Sequence, residues 1–360
     1  MSFAYAGCYM PNGGGIQLFD VDAESGGLTP RALVDGIADP SWLLIDPAGR
    51  TLYATSELSP AGTVSAYRID PDSGGLTLLN RVSAEGGKPV HLSLHPAGRH
   101  LFVANYDGGS IAVLPVDAEG GLGTALDVKI DTGDLGPARP TDAPPGSFAA
   151  SGHDAPHAHF VASDPSGRFV LHTDLGQDRI YVWHFEAGRL TPAATPFLAT
   201  APGSGPRHLA WAPDGRRVYA LTEESSTLAA YEFDAGRLTP IATISALPPG
   251  FAGTSYGSDL KLSADGRFAY AANRLHDSIA TFAIDDGLRL IGHTPTWGSY
   301  PRTLVIGGSF LYAMNQRSDA ITVFRLEAGI PRFTGQYIPT GSPAHLAFSA
   351  YSPRLRSHPT

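Results

Sequence analysis

The stretch Asp46-Pro47-Ala48-Gly49-Arg50 decides the fold, because four close variants of it recur along the chain, at 95–99, 164–168, 212–216 and 263–267. Each copy stands between two apolar segments, and proline and glycine at these places favour a tight turn. Gly307-Gly308-Ser309 is a shortened sixth copy. Each copy therefore predicts a β-hairpin.

Seven apolar markers indicate that the hairpins belong to a larger repeat. The strand after each turn carries one marker, and a further one stands near the N-terminus without a turn before it. The markers are Tyr5, Tyr53, Phe102, Leu171, Tyr219, Tyr270 and Tyr312, at successive spacings of 48, 49, 69, 48, 51 and 42 residues. Propeller blades of four strands repeat every ~40–50 residues. The sequence therefore predicts an all-β fold, a seven-bladed β-propeller with blades of four antiparallel strands.

The two ends of the chain are predicted to complete one blade together. The chain begins at a second-strand marker, and 343–348 resembles a first strand that lacks its hairpin partner. Pairing of this C-terminal strand with the N-terminal blade would close the ring and protect the sheet edges. We therefore expect a single domain at 1–350 and a C-terminal tail at 351–360.

One step of the repeat is too long. The 69-residue spacing holds about twenty extra residues, which fall in the Pro/Gly-rich stretch 132–154. A loop of this length in a compact domain is usually functional or mobile. We expect this insertion to cover one end of the ring, as a lid.

Composition narrows the function classes. Forty-two glycines and thirty prolines form a fifth of the 360 residues while 42% of the chain is apolar, which excludes a helical bundle and a disordered chain. The net charge of −9 disfavours a nucleic-acid binder, and Cys8 is the only cysteine, so no internal disulfide forms. The N-terminus lacks a signal-peptide pattern, and no apolar run reaches ~18 residues. We expect a soluble, cytoplasmic monomer without nucleic-acid or membrane partners.

Hairpin arithmetic predicts where a site lies. In an antiparallel hairpin, residues whose numbers average to the turn centre face each other. This rule pairs residues at one mouth of the central channel, where the innermost strands end. The pairs are Arg207 with Glu223, His159 with Leu175, Ser258 with Arg274, Ser41 with Glu57, Val90 with Tyr106, and Arg302 with Gln316.

The residue types at this mouth suit an anionic ligand. Guanidinium groups match carboxylate or phosphate oxygens, and Arg207, Arg274 and Arg302 are expected to converge there. His159 and Glu223 are candidates for proton transfer. His157 and His159 have the spacing of two metal ligands, but no third ligand follows from the sequence. We expect neither a metal nor a cofactor.

Several ordered motifs resemble a known family. They are Gly205-Pro206-Arg207-His208 with the following turn and Glu223, Pro156-His157-Ala158-His159, the run from Asp265 to Arg274, and Tyr300-Pro301-Arg302 with Asn315-Gln316. Together they are similar to the lactonase family of seven-bladed β-propellers, which contains 6-phosphogluconolactonases and 3-carboxy-cis,cis-muconate lactonizing enzymes. The resemblance implies an active site of His159, Arg207, Glu223 and Arg274. The chain departs from the family at Ser258-Asp259, where an Ala-Glu pair is common.

These observations give a leading hypothesis and two alternatives. We expect water-mediated hydrolysis of a small anionic sugar lactone, with 6-phosphogluconolactone as the leading substrate and either Glu223 or His159 as the general base. No serine or cysteine nucleophile motif is visible. The alternatives are cycloisomerisation of a carboxymuconate and a non-catalytic propeller that binds a partner. The predicted substrate-binding residues are Arg302, Gln316, His157, Glu57, Tyr106 and His208.

Overall fold

Seven four-stranded antiparallel sheets form a closed ring in the computed structural model, which describes residues 2–144, 146–150 and 152–349. Blade 1 contains β1 (Ser2–Cys8), β2 (Ile16–Val21), β3 (Leu28–Val34) and, from the other end of the chain, β28 (Pro343–Phe348). Blade 2 contains β4 (Leu43–Ile45), β5 (Thr51–Ser56), β6 (Thr63–Ile69) and β7 (Leu76–Ser83). Blade 3 contains β8 (Gly87–Leu94), β9 (His100–Asp107), β10 (Ser110–Pro115) and β11 (Asp127–Ile130).

The remaining blades follow in chain order. Blade 4 contains β12 (Ala158–Ser163), β13 (Phe169–Asp174), β14 (Arg179–Glu186) and β15 (Arg189–Ala199). Blade 5 contains β16 (Pro206–Trp211), β17 (Arg217–Thr222), β18 (Thr227–Asp234) and β19 (Arg237–Ser245). Blade 6 contains β20 (Tyr256–Leu262), β21 (Phe268–Arg274), β22 (Ser278–Ala283) and β23 (Arg289–Pro295). Blade 7 contains β24 (Pro301–Gly307), β25 (Phe310–Asn315), β26 (Ala320–Glu327) and β27 (Ile330–Pro339), with a short 3-10 helix at Gln316–Ser318.

The predicted seven-bladed architecture is confirmed, and the aromatic markers have a structural role in it. Each marker lies on the second strand of its blade. Tyr5, Tyr270 and Tyr312 are buried, and their hydroxyls donate to backbone carbonyls in the third-to-fourth-strand turn of the next blade, at distances of 2.8, 2.9 and 2.9 Å. A buried phenol needs such a partner. These three tyrosines therefore connect neighbouring blades as well as filling the core.

The predicted closure of the ring is also confirmed. β28 pairs antiparallel with β1, and Leu346 and Phe348 pack with Ala4 and Tyr312 in one apolar cluster. This cluster joins blades 1 and 7, so the two ends of the chain share one core. The predicted tail at 351–360, and Ala350 before it, lie outside the described residues.

The predicted cross-strand pairs are wrong in register. The turn centres lie half a residue before the assumed positions, which already shifts the pairing by one residue, as in Leu209 with Ala220. Within the described residues, the first strand of six blades also contains a β-bulge, an extra residue that shifts the pairing beyond it by one more. The N–H of Glu223 therefore donates to Gly205 O (2.6 Å) instead of facing Arg207. The same displacement by two residues places Leu175 against His157, Arg274 against Tyr256, Glu57 against Asp39, Gln316 against Tyr300, and Tyr106 against Lys88.

The long insertion lies between β11 and β12 and packs along blades 4 and 5. Backbone hydrogen bonds join Gly136 to Gly176 (2.9 Å), Thr141 to Pro202 (3.0 Å) and Ala149 to Glu224 (3.1 Å). Pro145 and Ser151 lie outside the described residues. The described part of the insertion thus sits beside the channel mouth, and its function as a lid stays a prediction.

Candidate active site

The bulges arrange the inner strands in two layers at one channel mouth. The first layer consists of the bulged residues, of which Val90, His159, Arg207 and Arg302 border the cavity described below. The layer below consists of the residue that follows each bulge and, in blade 2, of Trp42, which immediately precedes β4. The bulged residues are Val90, His159, Arg207, Ser258, Arg302 and Ala344. The lower layer consists of Trp42, His91, Phe160, His208, Asp259, Thr303 and His345.

A polar cavity opens above the lower layer. Its volume is about 210 Å³, which suits a single small molecule, since sites for drug-sized ligands typically span ~300–1,000 Å³. Most of the residues predicted for the site border it, together with one that sequence reasoning missed, Lys88. The bordering residues are Glu57, Lys88, Val90, Tyr106, His159, Arg207, Glu223, Arg274 and Arg302.

Glu223 bridges two arginines, and all three residues border this cavity. Its Oε2 lies 2.7 Å from Nε of Arg207 and 2.7 Å from an Nη atom of Arg274. Burial alone would raise the pKa of Glu223, but the two guanidinium groups outweigh it and lower the pKa below its ordinary value. Glu223 is therefore an ionised carboxylate held between two cations.

Both arginines are fixed from behind as well. Arg207 is buried and donates to the carbonyl of Ser258, while its Nη1 lies 3.3 Å from Nε2 of His208. Burial and the neighbouring Arg274 lower the pKa of Arg207 to about 10, so it remains a cation at neutral pH. Arg274 donates to Gly257 O (3.2 Å), and its guanidinium lies 5.2 Å from the ring centre of Tyr300. Neither side chain can swing away without losing several contacts.

His159 stands beside this cluster as a neutral imidazole. It is buried, and its ring lies 5.2 Å from that of His208 and 5.9 Å from that of Tyr106. Burial and the nearby arginines hold the pKa of His159 well below its usual range. Its Nδ1 is buried without a hydrogen-bond partner in the described structure. Such an orphaned polar atom at a cavity is suited to a ligand or a bound water.

A second ion pair forms the neighbouring wall. Arg302 lies 3.1 Å from Oε2 of Glu57, and the Tyr9 hydroxyl donates to the same oxygen at 2.5 Å. The guanidinium of Arg302 lies 5.0 Å from the ring centre of Tyr9. Sequence reasoning found Arg302 and Glu57 separately, but not their pairing, because they lie on blades 7 and 2 and blade 1 supplies Tyr9 between them.

Three predicted binding residues lie behind the cavity wall. His157 stacks on Tyr106 with ring centres 4.0 Å apart, and its two ring nitrogens lie 2.9 Å from Tyr106 O and from an Asp154 carboxylate oxygen. Gln316 belongs to the 3-10 helix of blade 7, and His208 to the lower layer. None of the three borders the cavity, so a direct role in binding stays a prediction.

The lower layer closes the channel beneath the cavity. His91 and His345 stack on Trp42 with ring centres 4.3 and 4.0 Å apart, and burial lowers the pKa of each of these histidines to about 3. His208 Nδ1 lies 2.7 Å from Asp259. In the part of the chain that the structure describes, no group of three or more His, Cys, Asp or Glu side chains is placed to hold a metal ion.

The fold and the site together define a class, a propeller with a cation-rich ligand pocket at one mouth of its channel. Residues 3–348 match the family model described as "Lactonase, 7-bladed beta-propeller", and the chain belongs to this family. No helix among the described residues is long and apolar enough to cross a membrane.

Relatives of this chain carry names that refer to lactone hydrolysis. The chain is 32% identical to the 6-phosphogluconolactonase of Bacillus subtilis (strain 168) over 307 residues, which cover 84% of each protein. It is similar in structure to the periplasmic gluconolactonase PpgL of Pseudomonas aeruginosa, with a TM-score of 0.86 and 33% identity over 97% of this chain and 99% of that one. A putative 6-phosphogluconolactonase of Bacteroides fragilis gives a TM-score of 0.86 and 30% identity over 96% and 97% of the two chains.

Proposed function

We propose that this protein is a lactonase that hydrolyses 6-phosphogluconolactone to 6-phosphogluconate. The observation that carries the proposal is the ionised Glu223 held between Arg207 and Arg274 in a small cavity with a surplus of cations. The names of the relatives support the same reaction.

The Glu223 cluster supplies both groups that lactone hydrolysis needs. Water adds to the carbonyl carbon while its proton passes to the Glu223 carboxylate. The bond from the carbonyl carbon to the ring oxygen then breaks, and Glu223 returns the proton to that oxygen, which gives a carboxylic acid and a hydroxyl and restores the ionised Glu223. Protonation of Glu223 removes the negative charge that pairs Arg207 with Arg274, so both guanidinium groups can bind the oxyanion as it forms. Fixed cations in a water-poor site stabilise such a transition state by several kcal/mol.

We assign the role of general base to Glu223 and a water-orienting role to His159. Burial disfavours a protonated His159, which would also be a further cation beside Arg207, and both effects hold its pKa well below the usual range. Glu223, by contrast, loses charge when it takes the proton. General base catalysis is typically worth ~10²–10⁴-fold in rate.

The test is formation of 6-phosphogluconate from freshly generated 6-phosphogluconolactone, corrected for spontaneous hydrolysis. We expect Glu223→Gln and Arg207→Ala each to lower kcat at least ~100-fold. Arg216→Ala, which changes an exposed arginine in the hairpin turn of the same blade, serves as the matched control. Wild-type turnover by both site variants, or no acceleration by the wild type, would contradict the proposal and lead to assays with unphosphorylated lactones and carboxymuconates.

We further propose that the protein works as a cytoplasmic monomer. Ring closure leaves the inner edge strand of each sheet facing the channel, where a second copy of the protein cannot pair with it. A sugar phosphate does not readily cross a bilayer because its charges are costly to bury in hydrocarbon. Light scattering during gel filtration and fractionation of cells would test the two parts separately.

A further inference from the structure

Lys88 borders the cavity from a blade far around the ring from the strands that carry Arg302 and Arg274. It belongs to β8 of blade 3, whereas the two arginines belong to blades 7 and 6. Three steps separate blade 3 from either of these blades, which is the greatest separation in a ring of seven. Lys88 lies opposite Tyr106 in the strand pairing, and Tyr106 also borders the cavity.

The charges around the cavity are unevenly compensated. Four cations border it, against the two carboxylates of Glu57 and Glu223, and His159 is neutral. Glu57 pairs with Arg302, and Glu223 is shared between two arginines. Among the residues that border the cavity, two positive charges therefore remain in excess, one at the Glu223 cluster and the other at Lys88, whose partner Asp107 does not border it.

The ion pair that Lys88 does make leaves its ammonium accessible to a ligand. Its Nζ lies 3.1 Å from Oδ1 of Asp107, in side chains that are 42% and 29% exposed. Asp107 is not among the residues that border the cavity. Ion pairs as exposed as this one contribute little to stability, and an ammonium group keeps further donors after one contact.

We propose that Lys88 determines specificity by binding the phosphate group of a phosphorylated sugar lactone whose carbonyl is held at Glu223 on the other side of the cavity. This inference rests on the proposed lactonase function and adds the residue that would recognise the phosphate group of its substrate. A phosphate monoester carries roughly −1.5 to −2 charge at neutral pH, and Lys88 supplies the cation on the side of the cavity where this group would lie. An unphosphorylated lactone would have no negatively charged group to bind the Lys88 ammonium.

The experiment compares 6-phosphogluconolactone with glucono-1,5-lactone as substrates of the full-length chain. We expect Lys88→Gln to lower kcat/KM for the phosphorylated lactone about 10–100-fold more than for the unphosphorylated one, the range of a lost charge-assisted contact. Lys88→Arg retains the charge and should restore most of the preference. Lys129→Gln, a change at a lysine that pairs with Asp127 on the outer strand β11, is the matched control. Urea midpoints would verify that all variants fold.

A binding measurement separates this inference from the proposed function. Calorimetric titration with 6-phosphogluconate and with gluconate should show the same loss of preference in Lys88→Gln, whether or not the wild type turns over either lactone. Equal effects of Lys88→Gln on both ligands, or no effect on either, would overturn the role of Lys88. Absence of turnover by a wild type that still distinguishes the two ligands would instead contradict the lactonase assignment.

Discussion

Asp259 determines which nitrogen of His208 carries the proton. Arginine only donates hydrogen bonds, so the His208 Nε2 that lies 3.3 Å from Arg207 Nη1 has to be an acceptor. The proton therefore resides on Nδ1, which donates to Asp259 at 2.7 Å. The other carboxylate oxygen of Asp259 accepts from the N–H of Leu304 at 2.8 Å. Asp259 thus orients Arg207 through His208, and its hydrogen bond with Leu304 links β20 to β24.

We predict that Asp259→Asn lowers kcat by acting through Arg207. An amide can accept with only one of its two ends, so either His208 or Leu304 would face a second donor, at a cost of about 1–3 kcal/mol. Steady-state kinetics and urea unfolding would measure the two effects, with exposed Asp286→Asn as the matched control. Unchanged kcat together with lowered stability would show that Asp259 has a purely structural role.

The contact between Arg207 and Glu223 was predictable from the sequence, although the register that produces it was not. Counting from the turn glycine placed the two residues opposite each other, but they are displaced by two positions: one because the turn centre lies between Asp214 and Gly215, and one because of the bulge. Their long side chains bridge the displacement and meet at 2.7 Å. Tyr9, which contacts Glu57 and Arg302, and Lys88, which borders the cavity, escaped prediction because they lie in a loop and at a strand end whose direction depends on the ring as a whole.

At the level of elements, Asp178 couples the long insertion to the strand that carries Arg207. It lies in the turn between β13 and β14, and its carboxylate accepts from the N–H groups of Gly203 (2.6 Å) and Gly205 (2.8 Å). The same carboxylate lies 3.1 Å from Nε2 of His153, at the end of the insertion. Gly205 in turn accepts from the N–H of Glu223. One buried carboxylate therefore holds three segments around the site.

We predict that Asp178→Ala costs about 1–3 kcal/mol of unfolding free energy, because it leaves buried backbone N–H groups without acceptors. It should also lower kcat/KM, since the segment before Arg207 loses its anchor. Urea unfolding and steady-state kinetics would measure both, and Asp134→Ala, at an exposed position in the insertion, is the control. Loss of stability without loss of activity would mean that the insertion and the site are independent.

The hairpins were predictable from the sequence because each turn has its own chemical signature, whereas the bulges were not. Pro-x-Gly turns mark the first hairpin of most blades, and their positions fixed the second strands correctly. The bulged residues range from Val90 to Arg207 and share no residue type. Their position follows from the close approach of seven inner strands, which is a property of the closed ring and not of any one hairpin.

At the scale of the whole molecule, the histidines of the channel make stability depend on pH. His91 and His345 are buried, with a pKa of about 3 each, and the pKa of His208 lies well below its usual range, again because of burial. In the unfolded chain these groups bind protons below about pH 6.5, whereas the folded protein keeps them neutral. Between about pH 6.5 and 3 the unfolded state therefore takes up more protons, and stability falls as the pH falls.

We predict that this loss reaches up to ~1.4 kcal/mol per pH unit for each buried histidine. The free energy of unfolding, obtained from urea denaturation at pH values from 8 to 5, should decrease as the pH falls. In His91→Gln this pH dependence should be weaker by the contribution of one histidine. His184→Gln, at an exposed position, should keep the wild-type slope. A slope that His91→Gln leaves unchanged would show that other groups cause the acid sensitivity.

Closure of the ring by β28 is the feature on which all seven blades depend. Without β28, β1 would present an unpaired edge to the channel, and the cluster between blades 1 and 7 would lose Leu346 and Phe348. Loss of one large buried apolar side chain typically costs 2–5 kcal/mol, and whole domains are stable by only ~5–15 kcal/mol.

We therefore predict that deletion of 342–360 abolishes cooperative unfolding and causes aggregation through the exposed edge. The sequence predicts that 351–360 is a tail outside the domain, so deletion of this segment alone should leave the urea midpoint unchanged. A cooperative transition in the longer deletion would show that six blades and a partial seventh hold the channel together without closure.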